Sequence, residues 1–98
     1  MNFTALCTFD LTNASEEDYT KVYEALEEIG LSRKVHGTNG EVNLPNTTVL
    51  GKFNGQTKAG VRDLVSEKIK NSFKDLNLKS KAFTMVSPSG NTWSQITT

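Results

Sequence analysis

The segment "FTALCTFDL" near the start of the chain sets the strongest constraint on the fold. Phe3, Ala5, Cys7, Phe9 and Leu11 alternate with Thr4, Leu6, Thr8 and Asp10. Successive side chains of a strand point to opposite faces, so this period of two predicts a strand with one face well buried. The next residues supply a cover for that face. Ser15 is a suitable N-cap, Asp18 sits three residues on, and the acidic first turn suits a helix dipole. Tyr19, Val22, Tyr23, Leu26 and Ile29 then recur at helical spacing, and Gly30 supplies a left-handed stop.

After Gly30 the helical period vanishes. "LSRKVHG" reads as a short strand and "TNGE" as a turn, because Asn39-Gly40 tolerates positive φ. Pro45 cannot donate to a strand ladder, so "NLPN" belongs to a loop, and Thr47 to Phe53 forms the returning strand. A second helix capped by Thr57 carries Val61, Leu64, Val65, Ile69, Phe73 and Leu76 as its apolar stripe, with Gly60 weakening its first turn. "KAFTMVS" is the last strand, before a polar tail from about residue 88 that contains Trp93. The order β-α-β-β-α-β, with right-handed crossovers, predicts an α+β ferredoxin-like sandwich: an antiparallel sheet with two helices on one face. That arrangement leaves the Thr4, Leu6, Thr8 and Asp10 face bare. A bare sheet commonly serves as a dimer surface or a nucleic-acid platform.

At 98 residues the chain is expected to form one domain, spanning 1–98. No apolar run approaches the length of a bilayer span, and "MNFTALCTFDL" lacks the basic start and cleavage site of a signal peptide. The single cysteine, Cys7, cannot form an internal disulfide, which points to a reducing cytoplasm with no membrane partner. One Cys and one His cannot complete a four-ligand structural zinc site. The formal net charge of zero hides an asymmetry. Residues 1–30 hold seven acids against Lys21, a net of −6, and residues 31–98 hold ten bases against four acids, a net of +6. Such a split suits a polyanion partner for the basic part, or two solvated helices of opposite sign.

Several stretches resemble the GhoS family, the small antitoxins of type V toxin–antitoxin systems, which are endoribonucleases that cut the toxin's messenger RNA. They are "FDL" closing the first strand, "ASEEDYTKVYEALEEIGLSRKV", "NG" in the hairpin, "NLP" before the returning strand, and "TW" at Thr92-Trp93. The likeness is dense from about Phe9 to Pro45 and thin through the second helix. It implies a ferredoxin-like fold and a single-stranded RNA substrate. It also sets Asp10 at a matching position, and Ser32-Arg33 against the family's "SR".

Cutting RNA without a metal needs a base for the 2′-hydroxyl, an acid for the leaving 5′-oxygen, and cations for the phosphorane charge. His36 is the one side chain whose ordinary pKa suits both proton roles, though a surface residue on a solvated hairpin is the commoner role. In an extended segment Lys34 shares its face, and Arg33 points the other way. Arg33 could grip phosphate through its fork or pair with Glu27 or Glu28. Asp10 could hold a divalent metal, or begin the turn "DLTN" by accepting backbone N–H bonds. The turn is the commoner role, and no cofactor is expected. Tyr19 and Tyr23 fit the core, the lysines from Lys68 to Lys81 a solvated face, and Trp93 is the best aromatic for stacking bases.

The candidate catalytic residues are therefore Asp10, His36 and Arg33, and the candidate RNA contacts are Ser32, Arg33, Lys34 and Trp93. Two functions fit this pattern. One is a cytoplasmic RNA-acting antitoxin, an endoribonuclease on a toxin messenger RNA. The other is a non-catalytic homodimeric module that binds a protein or RNA partner.

Overall fold

The computed structural model describes residues 1–37 and 40–91, the side chains of residues 36, 37 and 91 excepted. In chain order the elements are β1 (Asn2–Leu11), α1 (Glu16–Glu28), β2 (Lys34–Gly37), β3 (Gly40–Asn43), β4 (Thr48–Asn54), α2 (Lys58–Asp75) and β5 (Ser80–Pro88). A short 3-10 turn, Ser89–Asn91, follows. β1 is the middle strand of an antiparallel sheet ordered β4-β1-β5, while β2 and β3 form a separate hairpin. The alternation in β1 holds: Phe3, Ala5, Cys7 and Phe9 lie in the core with Val22 and Leu26 of α1 and Val61, Val65, Ile69 and Phe73 of α2. Both helices thus cover the same face of β1.

The local signals act as their chemistry requires. Ser15 and Asp18 form a reciprocal capping box, with the Asp18 N–H donating to Ser15 Oγ at 3.2 Å and the Ser15 N–H to Asp18 Oδ2 at 3.0 Å. Gly30 has φ +97°, and Thr57 Oγ1 accepts from the Gly60 N–H at 3.0 Å. Leu64 departs from its expected place and is 47% exposed. Residues 61, 65, 69 and 73 recur every fourth position along one side of α2, and Leu64 lies about 100° back around the axis.

The expected single sheet is divided in two. The strand at Lys34–Gly37 pairs with Gly40–Asn43, from Lys34 opposite Asn43 to Gly37 opposite Gly40. The chain then turns again through Pro45, whose carbonyl accepts from the Thr48 N–H at 3.1 Å, and β4 runs beside β1 instead. The hairpin joins the main sheet through one bridge, in which Ser32 and Leu50 exchange N–H···O bonds of 2.8 Å each. Gly51 permits this approach, since a Cβ there would fall on the carbonyl oxygen of Gly30. The turn residues 38 and 39 lie outside the described residues.

Cys7 is fully buried opposite Thr84. Burial pushes its thiol pKa above the ordinary 9.0, offset in part by a hydrogen bond with the Thr84 side chain. The folded state therefore keeps a proton that the unfolded chain gives up. The resulting stability is complete below the ordinary thiol range and is lost as pH rises toward the raised folded value. Native Cys7 should resist a thiol reagent, with one equivalent reacting only after unfolding. Rapid stoichiometric labelling of the folded protein would contradict this.

Candidate functional site

Leu31, fully buried, anchors the exit from α1 and fixes where Arg33 emerges. The Arg33 carbonyl accepts from the Leu44 N–H at 2.7 Å, and its guanidinium lies over the Tyr23 ring, 4.4 Å from the centroid. Among the described residues no ion pair joins Arg33 to Glu27 or Glu28. Tyr23 is held from its other side by an edge contact with Phe9, with centroids 5.8 Å apart. Its hydroxyl accepts from the Thr47 N–H at 2.8 Å. Tyr23 is thus half core residue and half platform. Together with Glu16, Tyr19, Thr20, Asn46 and Thr47, these groups line a hollow of about 530 Å³.

Thr47 is the pivot of the region. Its φ of +59° places a β-branched residue in the left-handed region, a conformation that costs roughly 1–3 kcal/mol and needs support from its surroundings. The support is on both sides: Tyr23 holds its N–H, and its carbonyl accepts from the Phe9 N–H at 3.0 Å. Across Thr47 a second, smaller hollow of about 150 Å³ opens on the bare sheet face, lined by Thr8, Asp10, Lys81 and Phe83. Asp10 stands in register with Lys81, and Thr8 with Phe83. The following turn is closed without Asp10, by the Thr12 N–H donating to the Lys79 carbonyl at 3.0 Å. Among the described residues no group of three or more His, Cys, Asp or Glu stands together to hold a metal.

The expected residues fall unevenly on this surface. Arg33 and Asp10 line the two hollows that share Thr47. Ser32 is used locally: its Oγ accepts from the Lys34 N–H at 3.1 Å and its backbone carries the hairpin bridge. Lys34 is exposed at the start of β2. The backbone of His36 pairs with Glu41, but its side chain lies outside the described residues, as does Trp93. Sequence reasoning missed Phe83, which is 59% exposed on the bare face and offers a ring for stacking. The alternation of Lys81, Phe83 and Met85 in "KAFTMVS" was the available signal. It gave one shared face, and only the pairing with β1 shows that this face is the bare one. For Thr47 there was no signal, since threonine is disfavoured where it sits.

These features define a two-layer α+β domain with a bare sheet face and a concave surface at one end of it. No helix among the described residues is long and apolar enough to cross a membrane. No protein-family model matches the chain, and no curated protein matches it.

Proposed function

We propose that this chain is a small cytoplasmic RNA-acting protein of the antitoxin type, a GhoS-like endoribonuclease that cuts single-stranded RNA such as a toxin messenger. One observation carries the reading: the Arg33 guanidinium lies over Tyr23 in a hollow, edged by Glu16, that shares Thr47 with a second hollow lined by Lys81, Asp10 and Phe83. Two cations spaced along a concave surface suit successive phosphates, and an exposed ring beside them suits an unstacked base. The exposed acids Glu17, Glu24, Glu27 and Glu28 on α1 would keep RNA off that helix. A ferredoxin-like sandwich is part of the proposal. The order β4-β1-β5, with Ser32 bridged to Leu50 on β4, supports it.

In the proposed reaction the 2′-oxygen attacks the adjacent phosphorus and the 5′-oxygen leaves. His36 takes the first proton and returns one to the leaving oxygen, while Lys34, on the same face of the extended segment, holds the charge that builds on the phosphorane, and Arg33, on the opposite face, grips a neighbouring phosphate of the same strand. Asp10 contributes a single carboxylate, a poor start for a hard cation that takes six or more oxygens, so the proposal uses no metal. Ser32 and Trp93 complete the proposed RNA contacts. Replacing Arg33 and Lys34 together by Ala should weaken single-stranded RNA binding and flatten its salt dependence by roughly 1.4 in log–log slope, about 0.7 for each phosphate no longer neutralised. An unchanged slope in a fluorescence titration would remove the hairpin from the RNA-binding surface.

A non-catalytic homodimeric interaction module is the second reading. Phe83 and Met85, each 59% exposed on the bare sheet face, favour it. Failure to bind any RNA at low salt would select it over the first.

A further inference from the structure

The hollow beneath Arg33 has two chemically different ends. Glu16, Tyr19, Thr20 and Tyr23 of α1 form one wall of it. Residues three, four and seven apart share a helix face, which is why α1 presents these four together. Seven residues at a rise of about 1.5 Å set Glu16 about 10 Å from Tyr23 along the helix axis. Arg33, over the Tyr23 ring, makes one end cationic, and Glu16 makes the other anionic. Glu16 is exposed and, among the described residues, joins no ion pair. The fold has little use for its carboxylate. Ser15 and Asp18 make the capping box, and Glu17 and Asp18 already set negative charge at the helix start. The Thr20 hydroxyl donates to the Glu16 backbone carbonyl at 3.1 Å, which leaves the carboxylate aside. Asn46, next to Thr47 in the chain, brings an amide donor and acceptor to the same hollow.

We infer that, within the RNA-acting reading proposed above, this hollow takes a guanine base of the bound strand, with Glu16 reading its pairing edge and Tyr19 stacking on its ring. The volume of about 530 Å³ lies within the roughly 300–1,000 Å³ of sites that enclose small organic groups. A carboxylate repels phosphate, so the sugar–phosphate chain keeps to the Arg33 end and the Glu16 end is left to a base. A carboxylate also only accepts hydrogen bonds. Guanine alone has two adjacent donors on its pairing edge, the ring N1–H and the N2 amine, and they meet both carboxylate oxygens at once. Adenine and cytosine set one amine beside a ring nitrogen that would face the carboxylate lone pairs. Uracil sets one N–H between two carbonyls. Guanine O6, beside N1–H, suits the amide N–H of Asn46. Tyr19 is half-buried and packs against the core, so its ring is a fixed wall. Stacking on it strengthens binding of any base, and the choice of base falls to Glu16.

Fluorescence anisotropy of the full chain with short labelled oligoadenylates, one carrying a single central guanine, tests this at fixed low salt. The guanine oligomer should bind about tenfold more tightly, within the range of one bidentate base contact. Inosine in its place keeps the N1–H and lacks the N2 amine, and should lose most of that gain. Glu16→Gln should bind the guanine and adenine oligomers alike. The Ser15–Asp18 cap does not involve Glu16, so this variant should keep the circular dichroism of the parent. Tyr19→Ala should weaken binding of both oligomers about fivefold or more. If Tyr19→Ala fails to fold, the parent and Glu16→Gln still decide the matter. Equal affinity of the parent for guanine and adenine, inosine that binds as tightly as guanine, or a preference that survives in Glu16→Gln would each overturn the inference while leaving the RNA reading intact. No binding to any oligomer would remove that reading and the guanine site with it.

Discussion

Replacing His36 with Ala should slow RNA cleavage by about 10²- to 10⁴-fold, the loss expected when a general acid or base is removed. No other side chain of this sequence has an ordinary pKa near neutrality, and burial pushes the Cys7 thiol away from it. The fold should stay intact, because β2 pairs with β3 through backbone bonds that alanine keeps. A metal route gives the opposite pattern. Asp10→Asn and a chelator would then each remove activity, and His36→Ala would matter little. Cleavage rates of both variants, with melting curves to show that each is folded, separate the two routes. Activity that survives both substitutions and the chelator would take Asp10 and His36 out of the chemistry.

Phe9→Ala should cost about 3–5 kcal/mol, a large part of the roughly 5–15 kcal/mol that holds a domain of this size together. Phe9 is 3% exposed and touches Tyr23 and Phe73, with centroids 5.8 and 5.6 Å away. Its loss leaves a cavity between α1, α2 and β1, and it removes the wall against which Tyr23 stands. Variant molecules that still fold should therefore bind RNA more weakly, since Tyr23 positions both Arg33 and Thr47. Phe9→Leu, which keeps more of the volume, should cost about 1–2 kcal/mol. Urea unfolding measures both, and a Phe9→Ala loss below about 1 kcal/mol would contradict this packing.

Much of the fold was legible because its signals are local. The alternation in β1, the Ser15–Asp18 cap and the four-residue spacing of α2 each depend on side chains close in sequence. The partner of β4 does not. The Asn39-Gly40 turn marks the hairpin of Lys34–Gly37 with Gly40–Asn43, but nothing in "TVLGKFN" says that it pairs with β1 and leaves that hairpin outside the main sheet. The Pro45 turn and the left-handed Thr47 decide it. The candidate site divides the same way. Asp10 and Arg33 drew attention as charged residues at the ends of elements. Tyr23 read as core because its ring is core, while its hydroxyl and outer face work elsewhere. Phe83 stayed hidden because a strand's alternation gives two faces without saying which one a helix covers.

Incubating the full chain with a labelled pool of single-stranded RNA, with and without a chelator, tests the proposed activity most directly. Discrete fragments that form at the same rate in both conditions, and that disappear when Arg33 is replaced by Ala, are the predicted result. RNA that stays intact and unbound at low salt and high protein concentration would contradict it.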